Sequence, residues 1–234
     1  MGPSTTQAQV LERCGATQLM DAVLFGYHAT IMTYGQTSAG KTYTMFGPED
    51  ALAAAGYAGG EHDGITIRCV RHLFSQSSAG NNSHIVVNAS CLEVYKEGIY
   101  DLLNITNKQL PLKWDPEGGF SVQGLTSVPC PTFDKFMQVA HMGMKHRRTG
   151  AHALNHESSR SHAILTVTVA IHAVRTDVAS APVRHGKVSF VDLAGSERVK
   201  ETGAAGGTLK EANSINKSLF TLGKVISALS ESVC

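Results

Sequence analysis

The chain has 234 residues, 42% of them apolar, with 20 Lys and Arg against 19 Asp and Glu and a formal net charge of +1. That length holds one α/β domain with a sizeable core, the composition excludes general disorder, and the balanced charge selects no polyanionic partner such as nucleic acid. The five cysteines (14, 69, 91, 130, 234) form no Cys-x-x-Cys pair, which fits a reduced compartment and argues against a zinc site or a disulfide framework. No apolar run approaches the roughly 18 residues needed for membrane insertion, and the first residues lack a signal-peptide core.

Residues 7–24 carry Val10, Leu11, Leu19, Met20 and Val23 at helical spacing, and one helix packed on a sheet is expected there. Residues 26–34 read as a strand ending on Gly35. Residues 51–63 are rich in Ala and Gly and read as a loop, followed by a short helix over 64–74 and a polar turn over 77–83. Residues 84–95 are rich in Val and aromatics and predict a strand, with 98–103 at its edge. Short strand-like pieces fall between 110 and 128. Residues 132–148 have helical spacing and end in Lys145-His146-Arg147-Arg148, a basic run that suits a helix C-terminus. Residues 151–161 read as a loop, so His152 and His156, although four apart, are taken as solvated or packing histidines. Residues 163–174 and 186–191 are β-branched and predict central strands. A long helix is expected over 209–229.

The most informative segment is Gly35-Gln36-Thr37-Ser38-Ala39-Gly40-Lys41-Thr42, which is G-x-x-x-x-G-K-T. After a strand, such a loop curls so that successive N–H groups face phosphate oxygens. Lys41 is placed for the β/γ-phosphates and the Thr42 hydroxyl for Mg²⁺. A helix starting near Gly40 adds its positive end to the anion site. A plain glycine turn leaves Lys41-Thr42 unexplained.

Two further constellations bear on this loop. Val188 to Gly195 is an apolar strand ending in Asp192, with a glycine three residues on. An Asp at such a tip can support Mg²⁺, and the Gly195 N–H can sense a terminal phosphate. Asn155-His156-Glu157-Ser158-Ser159-Arg160-Ser161-His162 is dense in hydroxyls that can position water or magnesium-bound water. Its Arg160 has an obvious carboxylate partner in Glu197.

In this order, G-Q-T-x-x-G-K-T, N-x-x-S-S-R-S-H and D-L-A-G-S-E resemble the kinesin motor domain. Cys91 to Leu103 is similar to that family's L-E-I-Y-N-E-x-I-x-D-L-L stretch, and Glu211 to Leu219 to its E-A-x-x-I-N-K-S-L helix. Myosin shares a phosphate loop and an S-S-R segment, but Ser161-His162 and Leu193-Ala194-Gly195-Ser196-Glu197 favour kinesin. A GTP-binding regulator lacks support, because there is no N-K-x-D motif. The resemblance implies an α/β P-loop NTPase core. Its central sheet is mostly parallel and mixed, flanked by helices on both faces. Residues 1–234 then form a motor domain truncated at both ends. Missing relative to the family are the initial strands with their R-x-R-P motif, the H-V-P-Y-R-D-S-K-L-T helix and the neck linker. Poor stability of the isolated piece is one expectation from that truncation.

The resemblance also implies roles. Gly35, Gln36, Thr37, Ser38, Ala39, Gly40, Lys41 and Thr42 bind ATP, with Tyr43 against adenine. Thr42, Ser159 and Asp192 serve Mg²⁺, the last two through water. Ser158, Ser159, Arg160, Gly195, Glu197 and Asn216 form the catalytic set. Ser158 contacts the γ-phosphate or the attacking water, Glu197 takes a proton through a second water and pairs with Arg160, and Asn216 positions that water chain. Residues 155–162 and 192–197 become switches I and II. The helix after switch II faces the microtubule, with Arg198, Lys200, Lys210, Lys217 and Lys224 as candidates for acidic tubulin. Glu201 and Asn213 stand where many kinesins carry Lys. The implied location is the cytoplasmic microtubule cytoskeleton, with cargo binding and dimerisation left to a tail outside this sequence. A degenerate or truncated fragment that binds nucleotide or tubulin without productive motility is the alternative. Pro111-Leu112-Lys113-Trp114 with Gly118-Gly119-Phe120 gives a faint kinesin-12-type similarity.

Overall fold

A computed structural model describes residues 4–48, 59–78, 83–106, 108–116, 119–153, 158–173, 183–197 and 207–231. The first expected helix is two: α1 (Gln7–Arg13) and α2 (Ala16–Leu24). Thr6 and Gln9 form a reciprocal capping box that starts α1. Gly15 breaks the run, because it takes a left-handed conformation at φ 65° that glycine adopts without steric cost. Strand β1 (His28–Thr33) leads into the phosphate loop, and α3 (Lys41–Phe46) follows it. Then come α4 (Ile65–Ser78), β2 (Ser83–Tyr95), β3 (Gly98–Asp101), β4 (Leu112–Asp115), β5 (Gly119–Val122) and β6 (Val128–Pro129). Helix α5 (Phe133–Ala153), a 3-10 turn at Ser158–Arg160, β7 (His162–Ala173), β8 (Arg184–Asp192) and α6 (Gly207–Glu231) complete the order.

The main sheet runs β1-β8-β7-β2-β3, with β6 paired to β2, while β4 and β5 form a separate hairpin sheet. It is mixed, but the expected parallel majority is corrected. Among the described strands only β1 and β8 pair in parallel, and β7–β8, β2–β7, β2–β3 and β2–β6 are antiparallel. The β2–β3 turn is a tight hairpin over Lys96-Glu97, which fixes antiparallel pairing locally.

Alternation along the strands puts one face in the core. On β7, Ala163, Leu165, Val167, Val169 and Ile171 are buried, while the residues between them are buried less or exposed. Leu165, Val167, Val169 and Ile171 join Val188 and Phe190 of β8 and Val87, Ala89 and Cys91 of β2 in one apolar cluster. The same cluster takes Met20 and Val23 of α2, Ile67, Val70 and Leu73 of α4, and Phe136, Ala140 and Met144 of α5. Each large side chain buried this way contributes roughly 1.5–3 kcal/mol. The opposite face carries Thr30, Met32, Thr166, Thr168 and Ser189, which are half-buried or exposed.

Register delivers the functional residues to one sheet end. Thr33 lies opposite Asp192, Asp192 opposite Ala163, and His162 opposite Val94. The phosphate loop, the tip of β8, the start of β7 and the β2–β3 hairpin are therefore neighbours. Helix α5 also runs further than expected, through Ala153, so residues 151–153 are helix and not loop. The basic run 145–148 accordingly lies inside the helix and does not decorate its end.

Candidate nucleotide site

The loop itself is exposed from residue 36 to residue 40, with Lys41 half-buried. Ser38 (φ 63°) and Gly40 (φ 83°) take left-handed conformations, which is how the chain curls its amides to one side. The Lys41 ammonium donates to the Gln36 carbonyl at 2.8 Å, closing the loop on itself. Tyr43 is exposed, and its hydroxyl lies 2.9 Å from His62 Nδ1. Its carbonyl accepts from the Gln7 amide at 2.7 Å, which ties α1 to α3.

Asp192 is the hub. It is 1% exposed, and its Oδ2 accepts from the Thr42 hydroxyl at 2.7 Å. Its Oδ1 accepts from the Thr33 hydroxyl at 3.2 Å. Arg147, 2% exposed, donates to Oδ2 at 2.6 Å and to the Ser161 carbonyl at 2.9 Å. Buried carboxylates need such compensation, so α5 supplies a counter-charge to the tip of β8.

Beyond Asp192 the chain bridges the other segments through its backbone. The Gly195 N–H donates to the Ser159 carbonyl at 2.8 Å, and the Ser196 N–H to the Gly35 carbonyl at 3.1 Å. Glu197 accepts from the Thr37 amide at 2.9 Å and the Thr37 hydroxyl at 2.5 Å. Partial burial pushes the Glu197 carboxyl up, but the two Thr37 bonds and nearby Lys41 more than offset it, so its pKa is lowered. A Cβ on Gly195 would run into the Glu197 carboxylate and the Thr37 hydroxyl, so any larger residue there displaces this pair of side chains.

The arrangement brings together the loop residues 35–42, Ser159, Asp192, Gly195 and Glu197. It does not place Glu197 on Arg160, because Glu197 engages Thr37 of the loop. Arg160 instead lines a cavity of about 340 Å³ with Lys96, Glu97, His162, Lys217 and Ser218. Ser158 lies in the same 3-10 turn as Ser159, and Asn216 is half-buried on α6. Of the five basic candidates, Lys217 is 71% exposed and reaches Glu97 at 3.5 Å, and Lys224 packs over the Phe220 ring. Arg198 and Lys200 lie outside the described residues.

A family model described as the kinesin motor domain matches residues 1–233. The chain belongs to the kinesin motor family. It is 39% identical over 235 residues to mouse kinesin-like protein KIF12, covering 96% of this chain and 35% of that protein. It is 37% identical to kinesin-like protein KIN-12B of Arabidopsis thaliana, covering 98% of this chain and 18% of that protein. The structure of a fast kinesin superposes with a TM-score of 0.84 at 36% identity, covering 98% of this chain and 62% of that one. The chain thus spans about a third or less of these curated relatives, and the P-loop nucleotide-binding core of the kinesins is the part it contains.

Three residues of this kinesin head were not singled out from its sequence: Arg147, Thr33 and His162. Arg147 was placed in a helix-end basic run, and nothing local distinguishes it from Arg148. The strand register reveals Thr33. His162 counts in the sequence only as part of the S-S-R-S-H motif, which does not reveal its bonds to Ala194 and Ser218.

Proposed function

We propose that this chain is the ATP-hydrolysing head of a microtubule motor, which binds Mg-ATP on the 35–42 loop and passes the γ-phosphate state through its two switches to α6. The carrying observation is the set of backbone and side-chain bonds that tie residues 159, 195, 196 and 197 to one another and to the loop at Gly35 and Thr37. A terminal phosphate entering this cluster competes for the same N–H groups. Its presence or loss therefore shifts both switches.

The oxygen donors fit magnesium: a Thr42 hydroxyl held 2.7 Å from a buried carboxylate suits a hard cation that keeps several waters. Thr42 would hold Mg²⁺, with Ser159 and Asp192 acting through water, and the ion would supply neutralisation of the charge that develops on the phosphates. Lys41 leaves the Gln36 carbonyl for the phosphates. Asp192, held by Arg147 and Thr33, orients the Thr42 side. Ser158 and Ser159 position water, and Glu197 is the proton acceptor once released from Thr37. Arg160 is its partner when the switches close, Asn216 orders the water chain, and Tyr43 packs on adenine. In this reading exposed Lys217 and Lys224 on α6 attract acidic tubulin, and the protein works on cytoplasmic microtubules.

The test is ATP turnover by the full-length protein with and without microtubules, with Glu197→Ala as control. Strong stimulation abolished by Glu197→Ala supports the proposal. An intact protein that microtubules do not stimulate rules it out.

A further inference from the structure

His162 has no part in the roles above, yet it touches both sides of the coupling path. Its Nδ1 accepts the Ala194 N–H at 3.0 Å, and its Nε2 lies 2.8 Å from the Ser218 hydroxyl of α6. A backbone amide only donates, so Nδ1 carries the lone pair. The neutral ring then holds its proton on Nε2 and donates to Ser218. An imidazolium would have no acceptor for Ala194. Burial and the nearby Arg147 charge both favour the neutral form, against a weaker opposing effect of Asp192. The groups around the ring are Arg147 from α5, Asp192 from β8, Arg160 from the preceding turn, Lys96 and Glu97 from the hairpin, and Lys217 from α6.

We propose that His162 is a positioning residue that relays movement of switch II to α6 through this rigid two-sided bridge. Ala194 immediately precedes Gly195, whose N–H bonds Ser159. A displacement of Gly195 therefore shifts the Ala194 amide, and the planar ring carries that shift to Ser218 without a rotatable bond between its two nitrogens. The neighbouring Lys217–Glu97 pair is weaker, since it meets at 3.5 Å between exposed groups beside the 340 Å³ cavity. The ring is a buried link, being 8% exposed.

This inference rests on the motor reading, and the experiment separates the two. In the full-length protein, the affinity for a fluorescent ADP is measured with and without microtubules, in wild type, Ser218→Ala and Ser218→Thr. Ser218→Ala cuts the bridge at α6 and leaves the Ala194 bond. Its nucleotide affinity without microtubules stays within about twofold, and the microtubule effect shrinks about three- to tenfold, the size of one net hydrogen bond. Ser218→Thr keeps a hydroxyl and restores the effect. Nitrogen NMR of the His162 ring gives the independent readout, with a neutral ring protonated on Nε2 at pH 7. A full microtubule effect in Ser218→Ala, or a ring protonated on Nδ1, overturns the relay alone. A wild-type protein whose ADP affinity ignores microtubules overturns the motor reading and the relay with it.

Discussion

Replacing Arg147 with Met is the sharpest test of how the tip of β8 is held. The guanidinium and the Asp192 carboxylate are 2% and 1% exposed and meet at 2.6 Å. Arg147 also caps the Ser161 carbonyl at 2.9 Å. Met keeps most of the apolar length and removes both donations. Asp192 is then left with two hydroxyl donors, from Thr42 at 2.7 Å and Thr33 at 3.2 Å, and no counter-charge from α5. Breaking a buried pair from one side costs about 3–5 kcal/mol. For a domain of this size each kcal/mol lowers the midpoint by about 2–4 °C, so the expected drop is about 6–20 °C. The assay is thermal and urea unfolding by far-ultraviolet circular dichroism. The single Trp, Trp114, is 63% exposed in the small hairpin sheet and would report the core poorly. The Arg147→Met/Asp192→Asn double variant removes both charges and recovers a large part of the loss, because the strongest penalty is the lone charge. A single-variant cost below about 1 kcal/mol, or a double variant equal to the sum of the singles, refutes the account.

Other outcomes follow from the same contacts. Gly195→Ala puts a methyl beside the N–H proposed to meet the terminal phosphate and is expected to slow ATP turnover at least tenfold while ADP binding changes little; turnover within twofold of wild type contradicts this. Thr66 is fully buried and its hydroxyl has no hydrogen-bond partner among the described residues, so isosteric Thr66→Val should be neutral or stabilising by up to about 1 kcal/mol in urea titrations, and a clear loss would contradict this. The lowered pKa of His162 means that the unfolded chain binds a proton below about pH 6.5 that the folded chain resists. Stability therefore falls as pH drops below that value, by at most about 1.4 kcal/mol per pH unit from this group, and His162→Asn should flatten the slope. An unchanged slope would count against the buried neutral ring. Burial pushes the thiols of Cys69 and Cys91 up to about 12 and Cys130 to about 11, while Cys14 is exposed. A thiol reagent at pH 8 is expected to label Cys14 well before those three, and equal rates would contradict the packing.

The sequence revealed most where chemistry is local. The 35–42 loop needs its glycines and Lys41-Thr42 at fixed offsets, and β-branched alternation marked β2, β7 and β8. It was less informative where the outcome depends on distance along the fold. One helix was expected over 7–24 because apolar spacing continues through Gly15, yet the left-handed turn there costs less for glycine than continuing straight. Parallel pairing was overestimated because strand direction is set by connections, and β-branched runs look alike in either direction. Arg147 illustrates the same limit. The expected helix already contains it, but helical spacing names no partner for a buried charge, and the partner lies 45 residues away.

Asp192 shows why these long-range features matter to function. As a motif residue it is one carboxylate at a strand tip. In the fold it is held by a charge from α5 and a hydroxyl from β1, and it in turn holds the loop hydroxyl Thr42. Each partner comes from a different element, so Asp192 cannot move without disturbing the strand that carries the loop and the helix that precedes the 158–160 turn. Leu193 is still tied to β1 through the Thr33 carbonyl and Ala194 to the His162 ring, and beyond them residues 195–197 meet exchangeable partners: the Ser159 and Gly35 carbonyls and Thr37. A rigid anchor followed by a short run of exchangeable bonds is what a phosphate-sensing segment requires. The anchor keeps the reference geometry while the bonds beyond it report a change of one ligand group.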